Sequence, residues 1–133
     1  MSFGGTLLLD THTFVWALSK PDRLSSAARQ ALENPANALF VSAASVWEMA
    51  IKFHRGKWPE AEPLVFGLTP ILNRLRAKLW PIDGAHALRA GLLGWSHNDP
   101  FDRMLAAQAL ANQFTLVTQD EAFRNVPALS VLW

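Results

Sequence analysis

The chain has 133 residues, half of them hydrophobic and 17% charged, which suits one domain, 1–133, around a buried core. A net charge of +1 excludes a polycation, so any nucleic-acid contact must come from a local patch. Cysteine is absent, which removes disulfides, zinc–thiolate sites and cysteine nucleophiles together.

Thr6 to Leu9 is an apolar run that follows Gly4-Gly5 and ends on Asp10, the pattern of a buried strand. The stretch MSFGGTLLLD lacks a basic n-region, and its apolar part is too short for a signal peptide. Charges and prolines interrupt every later apolar run before the roughly 18 residues of a membrane span. The expectation is a cytoplasmic chain with no membrane partner. Thr13–Leu18 reads as a short helix and Leu24–Glu33 as a second, stopped by Asn34-Pro35. Ala38–Val41 is another strand, and Ser45–His54 a helix with Val46, Met49, Ala50 and Phe53 at helical spacing. Pro63–Lys78 is helical in pattern, with a break suggested by Gly67 and Pro70. Lys78–Ile82 is a third strand, Ala85–Leu93 a helix and Gly94–Asn98 a polar loop. Pro100–Asn112 is a long helix with proline at its start. Phe114–Val117 is a fourth strand, Glu121–Arg124 a helical turn and Leu129–Leu132 a last strand. Strands alternating with helices imply a parallel α/β sheet, whose ligands sit beyond the carboxyl ends of the strands.

That rule directs attention to acids. Asp10 directly follows its strand, and Asp120 follows LVT after one glutamine. A carboxylate at the end of a buried strand is costly without compensation, though each also fits a helix N-cap. Glu48 lies on the helix after the second strand, where Ser45-Val-Trp-Glu48 also matches a capping box. In the first turn of that helix it would point over Asp10. Asp99 and Asp102 sit in HNDPFDRM; the first suits an N-cap and the second the helix dipole, but like charges at this spacing repel. Such a cluster cannot stay fully ionised without a cation, and an all-oxygen donor set suits Mg²⁺ or Mn²⁺. A cation of this kind can activate water and stabilise charge on a phosphodiester.

The stretches LLLDTHTFVWAL, VSAASVWEMAIK, HNDPFDRMLAAQAL and TLVTQD together resemble the PIN-domain ribonucleases, specifically the VapC-type toxins of type II toxin–antitoxin pairs. The match runs over nearly the whole chain in the family's order. The resemblance implies a PIN-like three-layer fold with a central parallel sheet of four or five strands flanked by helices. It implies that Asp10, Glu48, Asp102 and Asp120 are catalytic, and that they bind Mg²⁺ or Mn²⁺ with Asp99 beside them. It further implies a homodimer, a cognate VapB-type antitoxin and an RNA substrate such as a tRNA or another structured RNA.

Thr11 and Thr118 flank Asp10 and Asp120, where a hydroxyl can orient a carboxylate; ordinary turn chemistry explains them too. Lys52, Arg55, Lys57 and Trp58 lie in or beside KFHRGK, the densest basic stretch, with an aromatic ring to stack a base. The same cations also suit a helix C-terminus. His12 and His97 lie near candidate acids, and Arg103 is expected to pair with an acid. A haloacid-dehalogenase phosphatase would need an acid where His12 stands, and no G-x-G-x-x-G follows the first strand. The alternative to a nuclease is a non-catalytic PIN interaction module acting through a protein partner.

Overall fold

Three successive leucines can be buried on both sides only in the middle of a covered sheet. Strand β1, Thr6–Leu9, takes that place in the computed structural model, which describes residues 5–133. Residues 1–4, with the start of the expected domain and of the presumed leaderless N-terminus, lie outside the described residues. The other strands are β2 (Ala38–Ser42), β3 (Ala77–Trp80), β4 (Thr115–Val117) and β5 (Val131–Leu132). They pair in the order β3-β2-β1-β4-β5, all parallel. This is the expected α/β architecture, with five strands.

The α-helices among the described residues are α1 (Thr11–Ser19), α2 (Ser26–Glu33), α3 (Ala43–His54), α4 (Glu62–Phe66), α5 (Leu68–Leu75), α6 (Gly84–Leu92) and α7 (Pro100–Asn112). Alternation along β1 feeds two cores. Leu7 and Leu9 join Phe14, Val41, Met49 and Leu64 under α1 to α5. Leu8 joins Leu105, Leu116 and Phe123 under α7 and the turn after β4. Each fully buried Leu of this kind contributes about 1.5–3 kcal/mol relative to exposure. After β3 the chain returns to the other side of β1. The strand order therefore reverses between β1 and β4, where their carboxyl ends leave a crevice.

Several boundaries differ from the sequence pattern. The expected helix over Pro63–Lys78 is two helices broken at Gly67, whose N–H donates to Pro63 O at 2.9 Å. Pro70 is tolerated because it lies in the first turn of α5, where no N–H has an intrahelical partner. β3 begins at Ala77 and ends before Pro81, which cannot donate to the ladder. Most consequential, α3 starts at Ala43 rather than Ser45, because Ser42 caps it by accepting from Ala44 N at 3.0 Å.

Candidate functional site

Asp10 leaves the end of β1 and caps α1, with Oδ1 accepting from Thr13 N at 2.8 Å. Capping and burial coincide here, since the residue is only 7% exposed. Its other oxygen accepts from the buried hydroxyl of Thr118. The Thr118 oxygen in turn accepts from Asp120 N at 3.0 Å. One hydroxyl therefore ties the first and last acids together across adjacent strand ends. Burial pushes the Asp10 carboxyl above its usual range, against the hydrogen bonds from Thr118 and Thr13 and the charge of His12. Asp120 itself is exposed and caps the following 3-10 turn, accepting from Ala122 N at 2.9 Å. Asp10 and Asp120 line one open pocket of about 440 Å³ with His12, Trp16, Gln119 and Glu121.

Glu48 lies in the second turn of α3, not the first, and no capping box forms at Ser45. The Ser45 hydroxyl instead accepts from Thr11 Oγ1 at 2.9 Å, which turns Thr11 toward α3 rather than toward a carboxylate. Glu48 is buried and bonded to Lys52 Nζ at 2.6 Å. Its negative charge acts on Asp102, as does that of Asp99. Burial comes first, and together they push the Asp102 carboxyl up to about 6, opposed by His97. His97 Nε2 and Asp102 Oδ2 lie 2.7 Å apart. Asp99 is the N-cap of α7, accepting from Phe101 N and Asp102 N at 2.9 and 3.0 Å. The division of labour within this pair is therefore visible: Asp99 caps, and Asp102 meets the charge of Glu48.

Arg103 does not pair with an acid, contrary to expectation. Its guanidinium donates to main-chain carbonyls of the α6 end and the following loop: Ala90 at 3.0 Å, Gly91 at 3.5 Å, Leu93 at 2.6 Å, Trp95 at 2.7 Å and His97 at 3.0 Å. The planar fork matches several acceptors at once. It fixes the loop that holds His97 against Asp102.

The basic stretch divides. Lys52, Lys57 and Trp58 line a second cleft of about 470 Å³, but His54 and Arg55 do not. The cleft is completed by Lys20 and Arg23, which sequence reading missed. Only their place after α1, some thirty residues from Lys52, could have pointed to them.

A hard divalent cation is tested by these donors. As the side chains stand, no three acidic or histidine groups among the described residues converge at ligating distance. Glu48 is turned to Lys52, Asp102 to His97 and Asp120 to its own turn. The chemistry of the donors nevertheless fits. They are carboxylate oxygens throughout, the set a hard cation prefers, and burial raises the Asp10 and Asp102 carboxyls, with the charges of Asp99 and Glu48 adding at Asp102.

The model of the PIN domain matches residues 7–129, and the chain belongs to that family. Within it, the chain is similar to Ribonuclease VapC22 of Mycobacterium tuberculosis (strain ATCC 25618 / H37Rv), 34% identical over 121 residues, covering 90% of this chain and 91% of that relative. Among solved structures it is similar to a chain of VapBC2 from Rickettsia felis bound to a DNA fragment from their promoter. That match has a TM-score of 0.70 and 20% identity, covering 96% of this chain and 97% of the other. A chain of DNA-bound VapBC from Salmonella typhimurium gives a TM-score of 0.68 at 17% identity, with coverage of 96% and 97%. These two likenesses show the shared fold. No helix among the described residues is long and apolar enough to cross a membrane.

Proposed function

We propose that this chain is a Mg²⁺- or Mn²⁺-dependent endoribonuclease toxin, cytoplasmic and homodimeric, held in check by a cognate VapB-type antitoxin. The observation that carries the reading is the joining of Asp10 and Asp120 through Thr118 at adjacent strand ends, with Glu48 acting on Asp102 in a second acid group. Asp10, Glu48, Asp102 and Asp120 are the groups that would hold the metal, with Asp99 beside them. When bound, such a cation supplies charge neutralisation at a phosphodiester and a more acidic water. The protein's own part is positional. Thr118 fixes one oxygen of Asp10, Thr13 N the other, and Arg103 holds the loop that sets His97 against Asp102. Lys52, Arg55, Lys57 and Trp58 remain candidates for contact with RNA, which is a tRNA or another structured RNA by likeness to the family.

Similarity to Ribonuclease VapC22 supports the activity, and the VapBC complexes support the antitoxin. The non-catalytic alternative draws on the present engagement of Glu48 with Lys52 and Asp102 with His97. Incubation of labelled RNA with the protein in Mg²⁺, in Mn²⁺ and in excess EDTA, beside Asp10→Asn, separates the two. Cleavage should need metal and Asp10. Equal cleavage in every sample, or none in any, would overturn the proposal.

A further inference from the structure

The cleft next to the acid pocket combines flat rings with positive charge. His12 is exposed, its ring 4.7 Å from that of buried Trp58 and 5.4 Å from that of half-buried Trp16. Arg23 lies over the Trp16 ring at 5.7 Å and Lys52 over the Trp58 ring at 5.4 Å. Lys20 and Lys57 complete the rim, and both are exposed. His12 and Trp16 also line the acid pocket, so the two cavities form one continuous surface.

We infer that this cleft binds an unpaired nucleotide of the RNA, adjacent to the phosphodiester at the acids, with its base stacked on the exposed ring of His12, beside the tilted ring of Trp16, and its phosphate among Lys20, Arg23 and Lys57. The inference rests on the nuclease reading of the acid pocket and adds a subsite to it. A ring face accepts any base, while lysine and arginine track the backbone. The volume, about 470 Å³, falls in the roughly 300–1,000 Å³ range of small-ligand sites. Bases inside an A-form duplex keep their faces stacked and out of reach, so the cleft selects a loop, bulge or end. The one acid on the rim, Glu60, lies 3.8 Å from Lys20. Glu60 is half-buried, but at that length its pair with exposed Lys20 is weak enough for the lysine to turn to a phosphate. Lys52 links the cleft to the second acid group, since its Nζ is bonded to Glu48 while lying over Trp58. An acidic peptide could also meet the cations, but continuity with the acid pocket favours the nucleic acid.

The test uses Asp10→Asn, which separates binding from cleavage. A short oligoadenylate and the same backbone without bases are titrated against it in Mg²⁺, reading tryptophan quenching and Kd. The abasic chain should bind about 5- to 100-fold more weakly, the worth of one stacked base, and quench less. His12→Ala should abolish the difference and His12→Phe restore it. In the otherwise wild-type enzyme, Arg23→Ala with Lys57→Ala should raise KM about tenfold more than it lowers kcat and cut the salt slope of binding by about 2. Equal affinity for both chains, or an unchanged KM, overturns the inference. An acidic peptide that binds this cleft while base removal has no effect overturns it too. Wild-type protein that cuts no RNA, while binding still depends on bases, would sink the nuclease reading and support the cleft.

Discussion

Asp102→Asn is expected to stabilise the metal-free protein while removing a charge that the proposed activity needs. The Asp102 side chain is 22% exposed, and its carboxyl is pushed from the usual 3.8 up to about 6 by burial and by the charges of Asp99 and Glu48. For an acid raised on folding, protonation favours the native state. Its contribution is fully present below the unfolded value and lost as pH rises through the folded one. From about pH 4 to about pH 7 the wild type should therefore lose on the order of 3 kcal/mol through this group, at about 1.4 kcal/mol per unit. For a chain of this size that is about 10 °C in Tm. The variant does not titrate there, though it gives up the ion pair with His97. Near pH 4 it should match the wild type or fall slightly below it, and near pH 8 it should be clearly more stable. Thermal melts of both proteins in EDTA at the two pH values measure the change in the gap. A gap that stays constant, or that closes as pH rises, would refute the account of Asp102 as a buried acid crowded by Asp99 and Glu48.

Metal should reverse that penalty. Mg²⁺ or Mn²⁺ at about a hundred times Kd should stabilise the wild type by about 2.7 kcal/mol. The same addition should shift the Tm of Asp10→Asn much less, as read by melts with and without EDTA. Thr118→Val leaves both Asp10 and Asp120 N without their shared hydroxyl. It should lower metal affinity and cleavage about 10- to 100-fold, and wild-type metal affinity in isothermal titration would contradict the orienting role. Arg103→Ala removes the donor to five carbonyls around the α6–α7 loop and should cost about 2–4 kcal/mol. Hydrogen exchange should rise selectively over residues 93–98; uniform loss of protection across the domain would contradict a local clasp.

The fold was largely legible because its signals are short-range. The Leu7–Leu9 run, the alternation of strands with helices and the proline at the start of α7 each speak for themselves. Asp10 and Asp120 were legible as strand-end acids for the same reason. Glu48 was found for a partly wrong cause: Ser42, not Ser45, caps its helix, which moves Glu48 into the second turn. Thr118 and Thr11 look alike in sequence, yet one meets Asp10 and the other meets Ser45, a choice made by helix packing. Arg103 misled because its acceptors are main-chain carbonyls, which no sequence pattern displays. The cleft was only half visible, since Lys20 and Arg23 share it with Lys52 and Trp58 through tertiary packing rather than through any local motif.

The hydroxyl that binds Asp10 comes from a residue 108 positions further along the chain. The neighbouring strand pairing, Leu9 with Val117, carries the same long separation. Contacts so distant in sequence form only after the intervening chain has been closed into a loop. During synthesis, β1, β2 and β3 can assemble with Asp10 and Glu48 already in place, while β1 still shows an unpaired edge and its acid lacks Thr118. The pocket is completed only when β4 and the Thr118–Asp120 segment have been made. A growing polypeptide therefore cannot present the finished acid pocket before the segment around Thr118 has been made, and the onset of any activity housed there waits for that segment.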